Sequence, residues 1–503
     1  MGSRGEQALS EIQFVALILA LIGPLLALAK LLNVSETFVL FGTGVAMAFV
    51  PGLPPLELDP KLVFAMFLSP LLYAGTSRVT VHLLSHTLVP GVLLGVALVL
   101  ATIAGVAVAS RLLLPGLPWT GAILLGCAAS AFETRLFHEA EGRPKVPRGV
   151  ADTLKSWEIV SRAVILTCFA LGLQAASGGS PPSAGAVFWK VFLDTAVAAA
   201  VGAAVGWAFL RLRDRVDPAP IEIAVSVAIP YAAGLIAEAL GANVVVLIAA
   251  AALVISATRI DPRTGEARTS SEARVTGVAF WEQASLMISS LLYLLIGRAL
   301  PDAVRALGER PVLQVAACVV ALLAVLVAIK YAAALAATAL PPAAGTLRRR
   351  GAAARLAAAG VMSWACTRSP IGLVIALSIP ATLPDGRPFP DRDLILVVTA
   401  LLVVGSTLVQ GLTLRFAVQG AELGGEDEEE REVEEAERAM EAARPRAASN
   451  HEEELAAERK ALLELRERDR IGDEVLDEKM RRTDLRERVM EESAMPGAGP
   501  PNP

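Results

Sequence analysis

Cys366-Thr367-Arg368-Ser369-Pro370-Ile371-Gly372 interrupts an apolar run that otherwise extends over 353–379. A run of that length crosses a bilayer as a helix, since about 20 apolar residues span the hydrocarbon core. Pro370 has no amide hydrogen and Gly372 has no side chain. The helical ladder can therefore break here, beside the fixed positive charge of Arg368. A second run, 119–138, is interrupted by Ser130-Ala131-Phe132-Glu133-Thr134-Arg135. Two such breaks free backbone groups and half-helix dipoles near the bilayer midplane, an arrangement suited to holding an ion. Taken alone, Pro and Gly have a plainer reading as kinks, which membrane helices tolerate.

Outward from these breaks the chain stays apolar. Of its 503 residues 54% are hydrophobic, and the mean hydropathy is +0.56. Lipid offers the backbone no hydrogen-bond partner, so the spans must be helices or a closed barrel, and runs this continuous exclude alternating barrel strands. The expectation is an all-α polytopic membrane protein with about 13 transmembrane helices. They fall at 12–32, 36–50, 61–78, 83–110, 119–138, 154–177, 186–211, 219–239, 241–257, 277–298, 311–338, 353–379 and 392–417.

Charge divides the chain in two. Residues 420–503 hold 26 acidic and 14 basic side chains, whereas 1–419 is net basic. The domains expected are a transmembrane unit, 1–419, and an acidic helical tail, 420–503. The tail carries sparse apolar positions such as Leu455, Leu462, Leu463 and Leu476, which suits solvent-exposed amphipathic helices broken at Pro445 and Gly472. Residues from Pro496 onward have a disordered composition. Arg143, Lys145 and Arg148, then Arg211, Arg213 and Arg215, then Arg259, Arg263, Arg268 and Arg274, then Arg348 to Arg350 and Arg355, all fall on one side. The positive-inside rule makes that side cytoplasmic. With an odd number of spans the N-terminus is outside and the tail inside.

Several function classes drop out. Cys127, Cys168, Cys318 and Cys366 lie in apolar segments without metal spacing and read as small hydrophobes. His82 and His86 share a helical face but have no third ligand beside them, and read as interfacial. No phosphate loop, nucleophile constellation or basic stretch for nucleic acid is visible, so no enzyme activity, cofactor, metal or nucleic-acid partner is expected.

Ionisable residues inside the membrane are costly and become site candidates by default. These are Glu133 and Arg135 in the fifth span, Glu158 and Arg162 in the sixth, and Arg368 in the twelfth. Glu158 and Arg162 are four apart on a helix and can face each other, which also allows a purely structural, self-neutralising pair. Asp194, Glu222, Glu238, Glu282 and Lys330 sit near span ends, where reaching toward the interface explains them. Asn243, Ser289 and Ser290 read as helix–helix hydrogen-bonding groups.

Together these stretches resemble the monovalent cation:proton antiporters of the Na+/H+ exchanger type, in particular bacterial NhaP-like members. Gly52 to Pro60 with Leu68 to Ala74 resembles "PGLELDP…LPPLLYEA". Ala237-Glu238-Ala239-Leu240-Gly241 resembles "AEALG", and Phe280-Trp281-Glu282 with Leu291 to Gly297 resembles "FWE…LLFLLIG". Arg368 with Gly372 to Ser378 resembles "GLRGAVSLALALS", and Val409 to Leu414 matches "VQGLTL". The tail from Ala461 to Leu476 is similar to bacterial members' tails. In this order the fragments cover nearly the whole chain.

The resemblance implies an inverted-repeat fold with interrupted helices, and a homodimer in the bacterial inner membrane that exchanges monovalent cations for protons by alternating access. The site residues correspond poorly. The family's Thr-Asp-Pro is Phe132-Glu133-Thr134 here. Its Glu-Ser…Asn-Asp is Trp157-Glu158…Ser161-Arg162, so the cation-binding aspartate is an arginine and the glutamate that pairs with the twelfth-span arginine is Trp157. Glu158, next door, is a candidate partner for Arg368 instead. The candidate ion and proton site is Glu133, Thr134, Glu158, Ser161, Arg162 and Arg368, with Glu133 as carrier. Alternatives are transport of an anionic or other solute on Arg162 and Arg368, or a non-transporting sensor or assembly protein that keeps the fold.

Overall fold

The computed structural model describes residues 2–32, 34–50, 53, 63–76, 88–134, 147–177, 184–213, 219–257, 260, 263–267, 270–308, 310–340, 351–383, 385–421, 423, 425–444 and 451–494. Among them are eighteen helices and one two-stranded sheet. The first helices are α1 (Gly2–Leu32), α2 (Glu36–Met47), α3 (Ser69–Thr76), α4 (Leu94–Leu113) and α5 (Trp119–Ser130). Strand β1 (Phe132–Glu133) follows, then α6 (Arg148–Ala176), α7 (Ala184–Arg213), α8 (Ala219–Leu240), α9 (Val244–Ala257), α10 (Ser271–Ala306) and α11 (Val312–Ala337). Next come α12 (Gly351–Ala365), β2 (Thr367–Arg368), α13 (Pro370–Leu377), α14 (Arg392–Ser406) and α15 (Leu412–Ala421). The tail is α16 (Gly425–Ala443), α17 (His451–Glu467) and α18 (Asp473–Ala494).

Among the described residues seven segments are long and apolar enough to cross a bilayer: Val89–Leu113, Arg148–Ala176, Phe192–Leu212, Pro220–Leu240, Ser271–Ala306, Val312–Ala337 and Arg392–Leu414. Shorter apolar helices include Ala16–Leu32, Glu36–Met47, Trp119–Ser130 and Val244–Ser256. Two of the expected spans are interrupted by extended chain. At 119–138 the helix stops at Ser130 and the chain extends as β1. At 353–379 it stops at Ala365, extends as β2 and restarts at Pro370.

The restart has a local cause. Pro370 occupies the first turn of α13, where its missing amide costs nothing, and the Ser369 hydroxyl accepts from the Ile371 amide at 3.2 Å. The two extended segments pair antiparallel, Phe132 opposite Arg368 and Glu133 opposite Thr367. Backbone groups released by one broken helix are thus satisfied by the other, as lipid-embedded backbone demands.

Packing sorts the membrane helices into two groups. In one, α2 lies along α10 and α7 along α9, joined by α1, α3 and α8. In the other, α4, α5 and α6 pack together, α11 packs on α4 and α12, and α13 and α14 close over α5. The two groups meet where α10 touches α13 and α14 and where α6 touches α9. The α2–α10 approach needs glycine on both sides. A Cβ on Gly44 would overlap the Leu294 carbonyl, and one on Gly297 the Phe41 carbonyl.

The tail is more compact than the short solvent-exposed amphipathic helices expected of it. Its three helices bury Ala436, Met440, Leu462, Ile471, Val475, Leu476 and Met480 against one another. Glu458, Arg459, Arg466 and Lys479 are also buried, each in ion pairs. Charge repeats that look solvated in the sequence cover one another here. The unit is docked. Arg148 at the start of α6 pairs with Asp469 and with Glu432 at 3.7 Å, and Lys155 pairs with Glu474 at 2.9 Å. Arg274 at the start of α10 pairs with Asp484 at 3.0 Å and with Glu487, and the Ser271 hydroxyl donates to Glu491. The starts of α6 and α10 therefore lie on the tail's side.

Candidate functional site

The antiparallel crossing gathers every sequence-derived candidate except Arg135, which lies outside the described residues, as do His82 and His86. Glu133 stands on β1, half-buried, and its carbonyl accepts from the Thr367 hydroxyl at 3.4 Å. Thr134 follows at the end of β1. Its amide and hydroxyl donate to Glu158 Oε2 at 3.1 and 2.5 Å. The other carboxylate oxygen, Oε1, accepts from Arg162 Nη2. The expected i, i+4 pair is therefore present, with Thr134 as its third member. Ser161 is buried and donates to the Glu158 carbonyl at 2.8 Å, inside the helix rather than toward the carboxylate.

Arg368 corrects an expectation: Glu158 does not serve it. Its Nη1 donates to the Ala129 carbonyl, its Nη2 to the Cys366 carbonyl at 3.3 Å, and its amide to Ser406 Oγ at 3.1 Å. Those carbonyls lie at the ends of α5 and α12, the negative poles of two half-helices. The guanidinium bridges them, and Glu158 is already taken by Arg162 and Thr134.

Lys330 corrects another. Counted near the end of the eleventh span, it reads as interfacial, yet it is 1% exposed. Its Nζ donates to the Cys366 carbonyl at 2.7 Å and lies 4.5 Å from the centre of the Phe132 ring. A lone lysine within an otherwise apolar run was the signal that could have found it. Trp157 has also changed role. It is fully buried and donates from Nε1 to the Pro90 carbonyl at 2.7 Å, pinning α6 to the segment before α4. Asn243 behaves as read. Its side chain bonds Thr167 Oγ1 at 2.8 Å and the Ala163 carbonyl at 3.3 Å, and it accepts from the Val245 amide at 3.0 Å, tying α9 to α6.

Around the crossing stand Glu133 and Glu158 with Arg162, Arg368 and Lys330, a net positive set among the described residues. Glu158 is neutralised by Arg162, whereas the two remaining cations are held mainly by backbone carbonyls. Among the described residues no cluster of three acidic, histidine or cysteine side chains is placed to hold a metal ion. The described arrangement supplies one buried ion pair, Glu133 beside it, and carbonyl ends from two broken helices.

The transmembrane sodium/hydrogen exchanger family model matches residues 17–420. An uncharacterized Na+/H+ exchanger of Mycobacterium tuberculosis is 27% identical over 396 residues, covering 78% of this chain and 71% of that protein. A sodium, potassium, lithium and rubidium/H+ antiporter of Bacillus pumilus is 24% identical over 417 residues, covering 78% and 60%. The solved structure of the sodium proton antiporter MjNhaP1 from Methanocaldococcus jannaschii superposes with a TM-score of 0.61 at 13% identity, covering 83% of this chain and 100% of that one. At that identity the likeness is one of fold.

Proposed function

The chain belongs to the sodium/hydrogen exchanger family, and on that premise we propose that Glu133 carries the exchange of a monovalent cation for a proton. The protein is a multi-pass membrane cation/proton antiporter; its carrier residue, its partner copy and its sidedness are our reading. The observation behind the carrier is the crossing itself. Glu133 is the carboxylate carried on the extended segment itself, where the two broken helices cross, and Glu158 stands on the unbroken α6. Protonation and cation binding exclude each other on one carboxylate, which is the coupling an antiporter needs.

Arg162, Arg368 and Glu158 shape the site, with Thr134 and Ser161 beside them. The broken-helix pair belongs to the group of α4, α5, α6 and α11–α14. Alternating access is then movement of this group against the other. We place the tail in the cytoplasm of a bacterial plasma membrane and the N-terminus outside, which the basic loops support. A homodimer is proposed from the family likeness. We divide the chain at 419/420 into transmembrane unit and tail.

The test is proton flux in sealed proteoliposomes under an imposed pH gradient, with Na+, Li+, K+ and then anions added in turn. Cation-dependent collapse of the gradient that is abolished by Glu133→Gln is the expected result. Unchanged flux in that variant rejects Glu133 as carrier. Collapse that follows the anion rather than the cation supports the anionic-solute alternative.

A further inference from the structure

We propose that Arg162 is a tethered cation filling an oxygen site made by Glu158 and Thr134, and that removing its charge converts this site into one for a small alkali cation. The proposal rests on the exchange reading only for its choice of Na+ and Li+ as probes.

The donor set is defined around one carboxylate. Glu158 Oε2 receives the Thr134 amide and hydroxyl, and Oε1 receives Arg162 Nη2. Because Thr134 leaves β1 in an unwound segment, both its amide and its side chain reach the same oxygen. Carboxylate and hydroxyl oxygens are hard ligands that suit small hard cations.

The guanidinium is held there by charge and shape more than by a hydrogen-bond network. Arg162 is 6% exposed, yet its Nε and Nη1 have no hydrogen-bond partner among the described residues. Buried donors are nearly always satisfied, so an arginine kept for bonding geometry would use them. Shape comes from Gly75 on α3. A Cβ there would collide with Arg162 Nη1, so the guanidinium lies against the bare glycine backbone. α3 belongs to the opposite helix group, which puts this fixed charge at the seam between the two groups. Unlike a bound ion it can neither leave nor lose its proton. Glu158 is thereby kept occupied and is withdrawn from exchange.

The experiment compares thermal stability of the full chain in detergent as Na+ or Li+ replaces choline, for wild type, Arg162→Ala and Arg162→Gln. The glutamine keeps a hydrogen-bonding group on a shorter side chain while dropping the charge. The expected result is a gain of about 2 °C or more in cation-dependent melting temperature for both variants over wild type. That gain should vanish when Glu158→Gln is added. No gain in folded variants, or a gain that survives Glu158→Gln, overturns the proposal. Variants that fold only when Na+ or Li+ is supplied support it. Variants that neither cation recovers overturn it, since an accepting site would let the ion replace the lost charge. Because the readout is binding, it stands apart from the flux test. Loss of Glu133-dependent flux and absence of this gain can each occur without the other.

Discussion

The crossing and the tail are both built from acidic and basic side chains, and they use them in opposite ways. In the crossing, charges are few, and most partners are backbone carbonyls or single side chains. Arg368 bridges Ala129 and Cys366, Lys330 shares Cys366, and Arg162 has Glu158. In the tail, charges are dense and share partners. Arg459 contacts both Asp484 and Glu487, and Glu458 serves Arg444 and Arg486. Where water is absent, every unmatched charge is costly and a substitute is not at hand. At an aqueous interface a lost partner is replaced by a neighbour or by solvent.

The largest expected break of this contrast is Glu158→Leu. It leaves Arg162 buried without a counter-charge, and breaking a buried pair from one side costs about 3–5 kcal/mol. Apparent melting in detergent should fall steeply, at low and high salt alike. A loss that salt erases would mean that the pair is hydrated and the contrast false.

Glu474→Ala removes the partner of Lys155, also one turn from the same α6 carboxylate, but Glu474 is 57% exposed. The cost should be about 0.2–1 kcal/mol, seen as a small melting shift that shrinks as salt rises. A shift as large as that of Glu158→Leu would mean that the tail contact is as dry as the crossing.

The smallest expected effect is one of pH. Burial, with Glu428 and Asp152 nearby, pushes Glu432 up to about 7, against the pull of the Gly472 amide and Arg148. A raised carboxyl binds protons more tightly in the docked state than in the unfolded chain. Its stabilisation is full below 4.5, the ordinary value, and is lost as pH rises through about 7. Glu432→Gln should flatten this slope in melting curves recorded from about pH 5 to pH 8. A slope left intact would assign it to another group.

Much of the fold was legible because apolar run length and helix breakers act locally. Pro370 and Gly372 marked one break, and the polar insertion at 130–135 marked the other. Side-chain pairing across the break was not legible. Helical spacing put Arg162 within reach of Glu158, but only the extended backbone of β1 brings Thr134 to the same carboxylate. Arg368 is claimed by carbonyls that no side-chain pattern reveals. Lys330 was misread because distance from a span end says nothing about which face a residue occupies. The tail was misread because a charged residue buried among charges has the same composition as one in water.

The three tail helices hold the start of α6 with Arg148 and Lys155, and the start of α10 with Ser271 and Arg274. These helices come from different groups in the membrane. An ion pair reaches about 4 Å, so the tail acts as a caliper. It fits one spacing of those two helix ends, and any larger separation has to open one of its jaws.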